Sequence, residues 1–350
     1  MAQATAKKRL DPMQQQIFIT CANLFLGKEE GTASGLVFFH EEGSENPADG
    51  LSQWKKVVKI KTFPANREAK IVRKPAIVQD FTNTLIESID ERNLKSKVSF
   101  VEIGPGLWDS VQMKTLPYID ALKDSHHPVS RYISVDPSKE CAVDAANGIK
   151  NIYPDIASKS LVDMFEKASY PANNTIPVAL LWGLTIWNSS ITPNTDPELV
   201  LANQIKAVGK FVKPGGYILS TYCSSETKEM DEEAYNTPEN LQLIHSLAHR
   251  FEQNITDTNF EADTFEPYVE YQGNGIGRFC MGIKSKKDQT IRLNGSVEKH
   301  FEKGDGIVLT NSWRLTEAKL YKMVNSAGAE MIKHTYDKET GAGMFLAQFK

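Results

Sequence analysis

Cysteine is scarce and scattered in this chain: Cys21, Cys141, Cys223 and Cys280 form no close pair. That spacing excludes a zinc ribbon or a Cys-x-x-Cys redox motif and argues against a disulfide scaffold. No apolar run approaches the ~20 residues of a membrane span. The N-terminus, with Lys7, Lys8 and Arg9 ahead of a mixed polar segment, lacks the apolar core of a signal peptide. Nor is there a basic excess: 40 Lys and Arg against 44 Asp and Glu leave a net charge of −4, which gives no electrostatic case for nucleic acid. Internal repeats and low-complexity segments are missing too. These absences point to a cytoplasmic protein in a reducing environment, with neither a membrane nor nucleic acid as partner. What is present is ordinary globular composition, 41% apolar and 24% charged over 350 residues. That length suits two cores, or one core with a large elaboration.

Residues 1–12 are polar. From Met13 to Leu26, Ile17, Phe18, Cys21, Leu24 and Phe25 fall at helical spacing and predict an amphipathic helix. Glu41 to Leu51 reads as loop. Asn66 to Asn93 reads as helix with Ile71, Val78, Phe81, Leu85 and Ile86 on one face, interrupted or restarted at Pro75. Strands are then expected at 98–103, 131–135, 178–183, 215–220, 278–284 and 344–348. Helices are expected at 109–123, 138–150, 197–212 and 316–327. Such alternation implies a parallel sheet covered on both faces. Between Thr227 and Arg314 it breaks: a polar helix at Asn240–Phe251 precedes strands from Phe265 to Leu293, joined at Gln272-Gly273-Asn274-Gly275. This stretch reads as an insertion into a nucleotide-binding fold.

The chemistry begins at Val101-Glu102-Ile103-Gly104-Pro105-Gly106, a strand ending in Gly-x-Gly. Backbone comes close to a ligand at such a place, because a side chain would clash. About thirty residues on, Tyr132-Ile133-Ser134-Val135-Asp136 is an apolar run capped by one carboxylate, placed to accept from ribose hydroxyls. The third glycine of a dinucleotide fingerprint is missing, so a pyrophosphate fits poorly. S-adenosylmethionine (SAM) fits better, since it has no phosphate and needs only backbone approach and a ribose acid. A further strand, Leu180-Leu181-Trp182-Gly183, runs into Thr185-Ile186-Trp187-Asn188 at the carboxyl edge of the sheet, where ligands bind. On the residues alone, Asn188 reads equally well as a helix cap or Asx-turn.

Gly183-x-Thr185-Ile186-x-Asn188 resembles the Gly-x-Thr-Ile-Gly-Asn motif of the histidine-specific SAM-dependent methyltransferases. Further segments resemble that family in order: Phe39-His40-Glu41-Glu42-Gly43-Ser44, Phe63-Pro64-Ala65-Asn66-Arg67-Glu68, Tyr132 to Ser138, and Tyr153-Pro154 followed by Asp163-Met164-Phe165. Ala234-Tyr235, Arg278-Phe279-Cys280-Met281, Thr310-Asn311-Ser312-Trp313-Arg314 and Ala327-Gly328 follow, so the resemblance runs from about Phe38 to the C-terminus. It implies an α/β fold: a Rossmann-like methyltransferase core with a second, substrate-binding α+β domain. The expected division is 1–67 as the N-terminal part of the substrate domain and 68–226 as the SAM-binding core. Residues 227–313 are the inserted part of the substrate domain, and 314–350 complete the core. The resemblance assigns Glu102, Gly104, Gly106, Asp136, Ser138, Asp163, Phe165, Gly183 and Thr185 to the cofactor, with S-adenosylhomocysteine (SAH) as product. It gives Asn188 and Tyr235 the acceptor's amino and carboxylate groups, and Phe39, Phe63, Trp187, Met281, Thr310 and Ser312 the rest of its pocket.

The departures concern the acceptor. Thr310 stands where the family has a Glu for imidazole, and Phe39 where it has a Tyr. Thr62 or Phe63 stands where it has a second Tyr, and Trp187 replaces a Gly. A lost charge-assisted bond is worth roughly 1.5–3 kcal/mol, so histidine is not the expected substrate. The reading is N-methylation of an amino acid or related small amine with an aromatic or apolar side chain. Two alternatives remain: methylation of oxygen, carbon or a peptide amine in a biosynthetic pathway, and a non-catalytic SAM-binding protein. His245 and His249 are four apart, the spacing of two helical metal ligands. No Glu follows His245 and no third ligand is evident, so they read as surface or packing residues. No metal is expected.

Overall fold

A computed structural model describes residues 12–32, 46–92, 94, 96–168, 174–183, 185–212, 214–273 and 276–350, with side chains from residue 15. Phe39 and its motif lie outside the described residues. The chain opens with α1 (Pro12–Phe25), α2 (Gly50–Val57), α3 (Pro64–Val72) and α4 (Pro75–Glu91). Proline punctuates this region: Pro64 and Pro75 each occupy the first helical turn, where a missing N–H costs nothing. Pro75 therefore begins a new helix. The strand β1 (Val98–Ile103) leads into α5 (Trp108–Lys114) and α6 (Leu116–Lys123). The single helix expected at 109–123 is two, because Pro117 cannot donate within it and starts a fresh helix.

After β2 (Val129–Val135) come α7 (Lys139–Ile152), β3 (Ala157–Leu161), β4 (Ile176–Leu181), α8 (Pro197–Val212) and β5 (Tyr217–Cys223). The insertion holds α9 (Lys228–Tyr235), α10 (Pro238–Asn254), β6 (Phe265–Gln272), β7 (Ile276–Ser285), β8 (Gln289–Leu293), β9 (Val297–Phe301) and β10 (Gly306–Leu315). The chain ends through α11 (Glu317–Ser326), β11 (Ala329–Asp337) and β12 (Ala342–Phe349).

Seven strands form one sheet in the order β11-β12-β5-β4-β1-β2-β3. β1 to β5 are parallel, and β12 returns antiparallel between β5 and β11. Because successive side chains alternate, β1 feeds two cores: Val101 and Ile103 join the cluster on one face, Val98 and Phe100 that on the other. The protein thus has a Rossmann-like α/β core. β1 lies between β2 and β4, so the connections after β1 and β4 diverge and open a crevice at their carboxyl ends. A third apolar cluster, built from α1, α10, β7, β10 and the β8–β9 pair, faces that crevice with Phe63, Tyr235 and Met281 among its members.

Strands β3, β9, β10 and β11 carry no strong period-2 apolar signal and were not expected. β3 is a half-exposed edge, and β10, at the edge of the three-stranded sheet β10-β7-β6, buries Thr310, Asn311, Ser312 and Arg314, whose polarity hides a buried strand. Among the described residues, no helix is long and apolar enough to cross a membrane. All four cysteines are buried and unpaired.

Candidate active site

A cavity of about 720 Å³ opens at the carboxyl ends of β1 and β4, within the ~300–1,000 Å³ of small-molecule sites. Its first wall is the glycine turn. Gly104 and Gly106 adopt φ of +66° and +68°, the left-handed region. A Cβ on Gly104 would stand 2.6 Å from Thr185 Oγ1, so the turn after β1 is pressed against the edge after β4. At Gly106 a Cβ would meet nothing within 4 Å; the backbone there borders open space.

Asp136 follows β2 directly. Its carboxylate accepts the Ser138 N–H at 2.8 Å and the Gly106 N–H, which ties the second strand end to the turn after the first. Burial nonetheless pushes its carboxyl up to about 7. Ser138 does not line the cavity; its hydroxyl caps α7 by accepting the Cys141 N–H at 3.3 Å. Asp163 and Phe165 line the cavity beyond β3, with Asp163 exposed.

Glu102 also sits away from the cavity, at 1% exposure beneath the turn. It accepts from Tyr132 Oη at 2.6 Å, and desolvation pushes its carboxyl up to about 7. Its neighbour across the cavity floor is Lys114, which lines the cavity although its residue is buried. Burial pulls Lys114 below the usual lysine range, opposed by the charges of Glu68 and Glu102. Glu68, wholly buried, accepts from Thr221 Oγ1 at 3.2 Å and from Cys223 Sγ at 3.3 Å, and desolvation raises its carboxyl. Thr221 Oγ1 in turn accepts the Gly183 N–H at 3.0 Å. A Cβ on Gly183 would approach Glu68 Oε2 at 3.7 Å and Lys114 Nζ at 3.9 Å. Buried charge thus supports the turn after β4. Sequence reasoning missed Lys114, and gave Glu68 no role. The detectable signal was a charged residue at a core position of each helix, on α5 and on α3.

The opposite wall carries Phe63, Asn188, Tyr235, Met281 and Thr310, with Trp54 and Leu243 beside them. Asn188 is half-buried in the 3-10 turn Ile186–Asn188. Trp54, Phe63 and Tyr235 form a chain of edge-to-face contacts, with centroids 5.7 and 5.5 Å apart. Thr310 on β10 pairs with Met281 on β7. Tyr235 Oη lies 2.9 Å from Ser312 Oγ and accepts from Arg314 Nη2 at 3.0 Å. Arg314 also donates to Ser312 at 2.9 Å and pairs with Asp231, which Arg67 of α3 pairs as well. Ser312 reaches the cavity only through Tyr235.

Trp187 corrects an expectation. Its indole does not enter the pocket: it is 1% exposed in the sheet's core, and Nε1 donates to the Thr221 carbonyl at 2.7 Å. A 3-10 turn points residue 187 inward and leaves residue 188 at the rim. Trp313 is likewise a packing residue, donating to the Ser189 carbonyl at 3.0 Å.

The donor half fits SAM. A backbone turn with open space at Gly106 and a buried carboxylate at the end of β2 suit a nucleoside.

No curated protein matches this chain. Among solved structures, a SAM-dependent methyltransferase from Clostridium acetobutylicum ATCC 824 is 14% identical with a TM-score of 0.39, over 77% of this chain and 90% of that one. The CcbJ methyltransferase from Streptomyces caelestis is 12% identical with a TM-score of 0.38, over 77% of this chain and 96% of that one. Magnesium protoporphyrin IX methyltransferase from Synechocystis PCC 6803, with bound SAH, is 8% identical with a TM-score of 0.39, over 86% and 94%. The family model of the histidine-specific, SAM-dependent methyltransferases matches residues 36–349, and this chain belongs to that family of enzymes.

Proposed function

We propose that this enzyme methylates the amino group of an amino acid or a related small amine other than histidine, one with an aromatic or apolar side chain. The observation that carries the reading is that Gly104 and Asp136 share one cavity with Asn188 and Tyr235. The proposed donor and acceptor groups therefore line the same cavity. Thr310 brings no carboxylate to it, while Trp54, Phe63, Leu243 and Met281 supply apolar wall.

In this reading Gly104, Gly106, Asp136, Asp163, Phe165, Gly183 and Thr185 hold SAM, which supplies an electrophilic methyl group on a sulfonium. Glu102 and Ser138 support that site from behind. Asn188 and Tyr235 orient the acceptor's amino and carboxylate groups, with Ser312 and Arg314 fixing the tyrosine hydroxyl. Such a displacement needs an aligned lone pair and exclusion of water rather than covalent help from the protein. The amine must be neutral, and at pH 7 an alkylamine of pKa near 10.4 gives up about 4–5 kcal/mol to become so. The substrate side combines residues 1–67 with 227–313; the cofactor side combines 68–226 with 314–350. Buried thiols suit work in the cytoplasm.

The test is calorimetry with SAM, then incubation with a panel of amino acids and amines and mass detection of products heavier by one methylene. Products confined to oxygen, carbon or peptide amines would redirect the acceptor reading. SAM binding without any product would leave a binding protein instead. Preferred turnover of histidine would refute the reading of Thr310.

A further inference from the structure

At the far end of the sheet from the cavity, where the parallel strands begin, two imidazoles converge on one carboxylate. His126 Nε2 stands 2.9 Å from each carboxylate oxygen of Asp90, near the C-terminus of α4. His127 Nε2 stands 3.0 Å from Asp90 Oδ1, and the two rings are 4.3 Å apart by centroid. His127 is buried, and its Nδ1 lies 2.9 Å from the Ser96 carbonyl oxygen. A carbonyl only accepts, so Nδ1 carries a proton, and in that tautomer of an imidazole Nε2 turns its lone pair toward Asp90. An ionised carboxylate likewise only accepts. Two acceptors at 3.0 Å demand a positive charge between them: a second proton on the ring, or a metal ion.

We propose that Asp90, His126 and His127 form a site for a first-row divalent transition-metal ion, bound by two imidazole nitrogens and a carboxylate oxygen and completed by water. Ligand atoms about 2.1 Å from one ion and at right angles stand about 3.0 Å apart, which is the spacing of each histidine nitrogen from Asp90, and all three ligand atoms lie within 4.8 Å of one another. The Ser96 carbonyl is the outer contact that fixes a ligating histidine's tautomer and orientation. The His126 and Asp90 side chains are 63% and 49% exposed, so an ion and its waters have access. Bound there, the ion clips the end of α4 to the segments entering β1 and β2, away from the methyl-transfer cavity. The other grouping of this composition, His245, His249 and Asp263, is poorer. Its His249 Nε2 to Asp263 Oδ1 distance is 3.6 Å, and Lys286 bears on it with like charge to a cation. It serves as the control.

The full chain, free of any affinity tag and stripped with chelator, is titrated with Co²⁺ at pH 7.5 by visible absorption and calorimetry. One equivalent should bind with proton release, and the thermal midpoint should rise with free Co²⁺. Asp90→Asn and His126→Ala, both on exposed side chains, should each weaken binding at least about tenfold. His249→Ala should leave it unchanged. No uptake by the wild type, uptake indifferent to Asp90→Asn and His126→Ala, or uptake lost with His249→Ala overturns the site.

Discussion

With Asp136 receiving the ribose as proposed, its ionisation should make cofactor affinity depend on pH in a definite direction. Burial pushes the carboxyl up to about 7 in the ligand-free enzyme, against the N–H groups of Ser138 and Gly106 that favour its charged form. Ribose hydroxyls donate to a carboxylate, so a nucleoside binds the ionised form and lowers the pKa on binding. With a pKa near 7, the competent fraction is about 0.1 at pH 6 and about 0.9 at pH 8, and apparent affinity scales with that fraction. SAH should therefore bind about tenfold more weakly at pH 6 than at pH 8, or ~1.4 kcal/mol. SAH is the ligand to use, since it cannot turn over. Stability of the free enzyme runs the other way. Asp136 and Glu102 both have folded values raised to about 7. Their contribution is thus fully present below their unfolded pKa near 4 and is lost as pH rises through 7. The protection given by SAH should grow over the interval in which the free enzyme weakens. Calorimetry at both pH values, with Asp136→Asn as control, checks this. A dissociation constant flat from pH 6 to 8, or an equal slope in Asp136→Asn, would refute the reasoning.

Asn188→Ala should abolish turnover while leaving SAH affinity within about twofold; equal loss of both would place Asn188 on the donor side. Arg314→Lys keeps the buried charge but loses the fork that reaches Tyr235, Ser312 and Asp231. Its acceptor KM should rise about tenfold, with a smaller change in kcat, and in a Tyr235→Phe background most of that rise should vanish. Full additivity in the cycle would mean that Arg314 does not act through the tyrosine. Gly104→Ala places a Cβ 2.6 Å from Thr185 Oγ1 at a φ of +66°. The backbone strain alone costs about 1–2 kcal/mol, so urea denaturation should show at least that loss, together with weaker SAH binding.

The donor half was legible because its parts are short and local. A strand, two glycines and a carboxylate after the next strand are each readable within a few residues, and the parallel sheet brings them together by rule. Glu102 and Ser138 sit in those same segments, yet they act one layer back: the motif gives their position, and the alternation of β1 and the capping of α7 decide where their side chains point. Trp187 was misread for the same reason. Its neighbour Asn188 reaches the cavity, and only the 3-10 turn separates the two directions. Lys114 and Glu68 were passed over because a charge on an amphipathic helix is by default solvated. Here both meet behind Gly183.

The acceptor half resists sequence reading because its chemistry is made by pairs far apart in the chain. Tyr235 ends α9, but its hydroxyl is positioned by Ser312 and Arg314 on β10, and Arg314 by Asp231, which also holds Arg67 from α3. Two buried guanidinium groups on one carboxylate leave a positive surplus, and the Tyr235 hydroxyl, the Cys223 thiol and wholly buried Glu68 bear on Arg314 from the other side. Removing a single member would strand a charge without water, at roughly 3–5 kcal/mol. The pocket's shape is therefore free to change at Thr310, Phe63 and Trp54, which carry no charge, while the Tyr235 hydroxyl, the proposed partner of the acceptor's carboxylate, stays fixed. In the proposed reading, that separation lets the cofactor core stay as it is while the pocket departs from one built for imidazole.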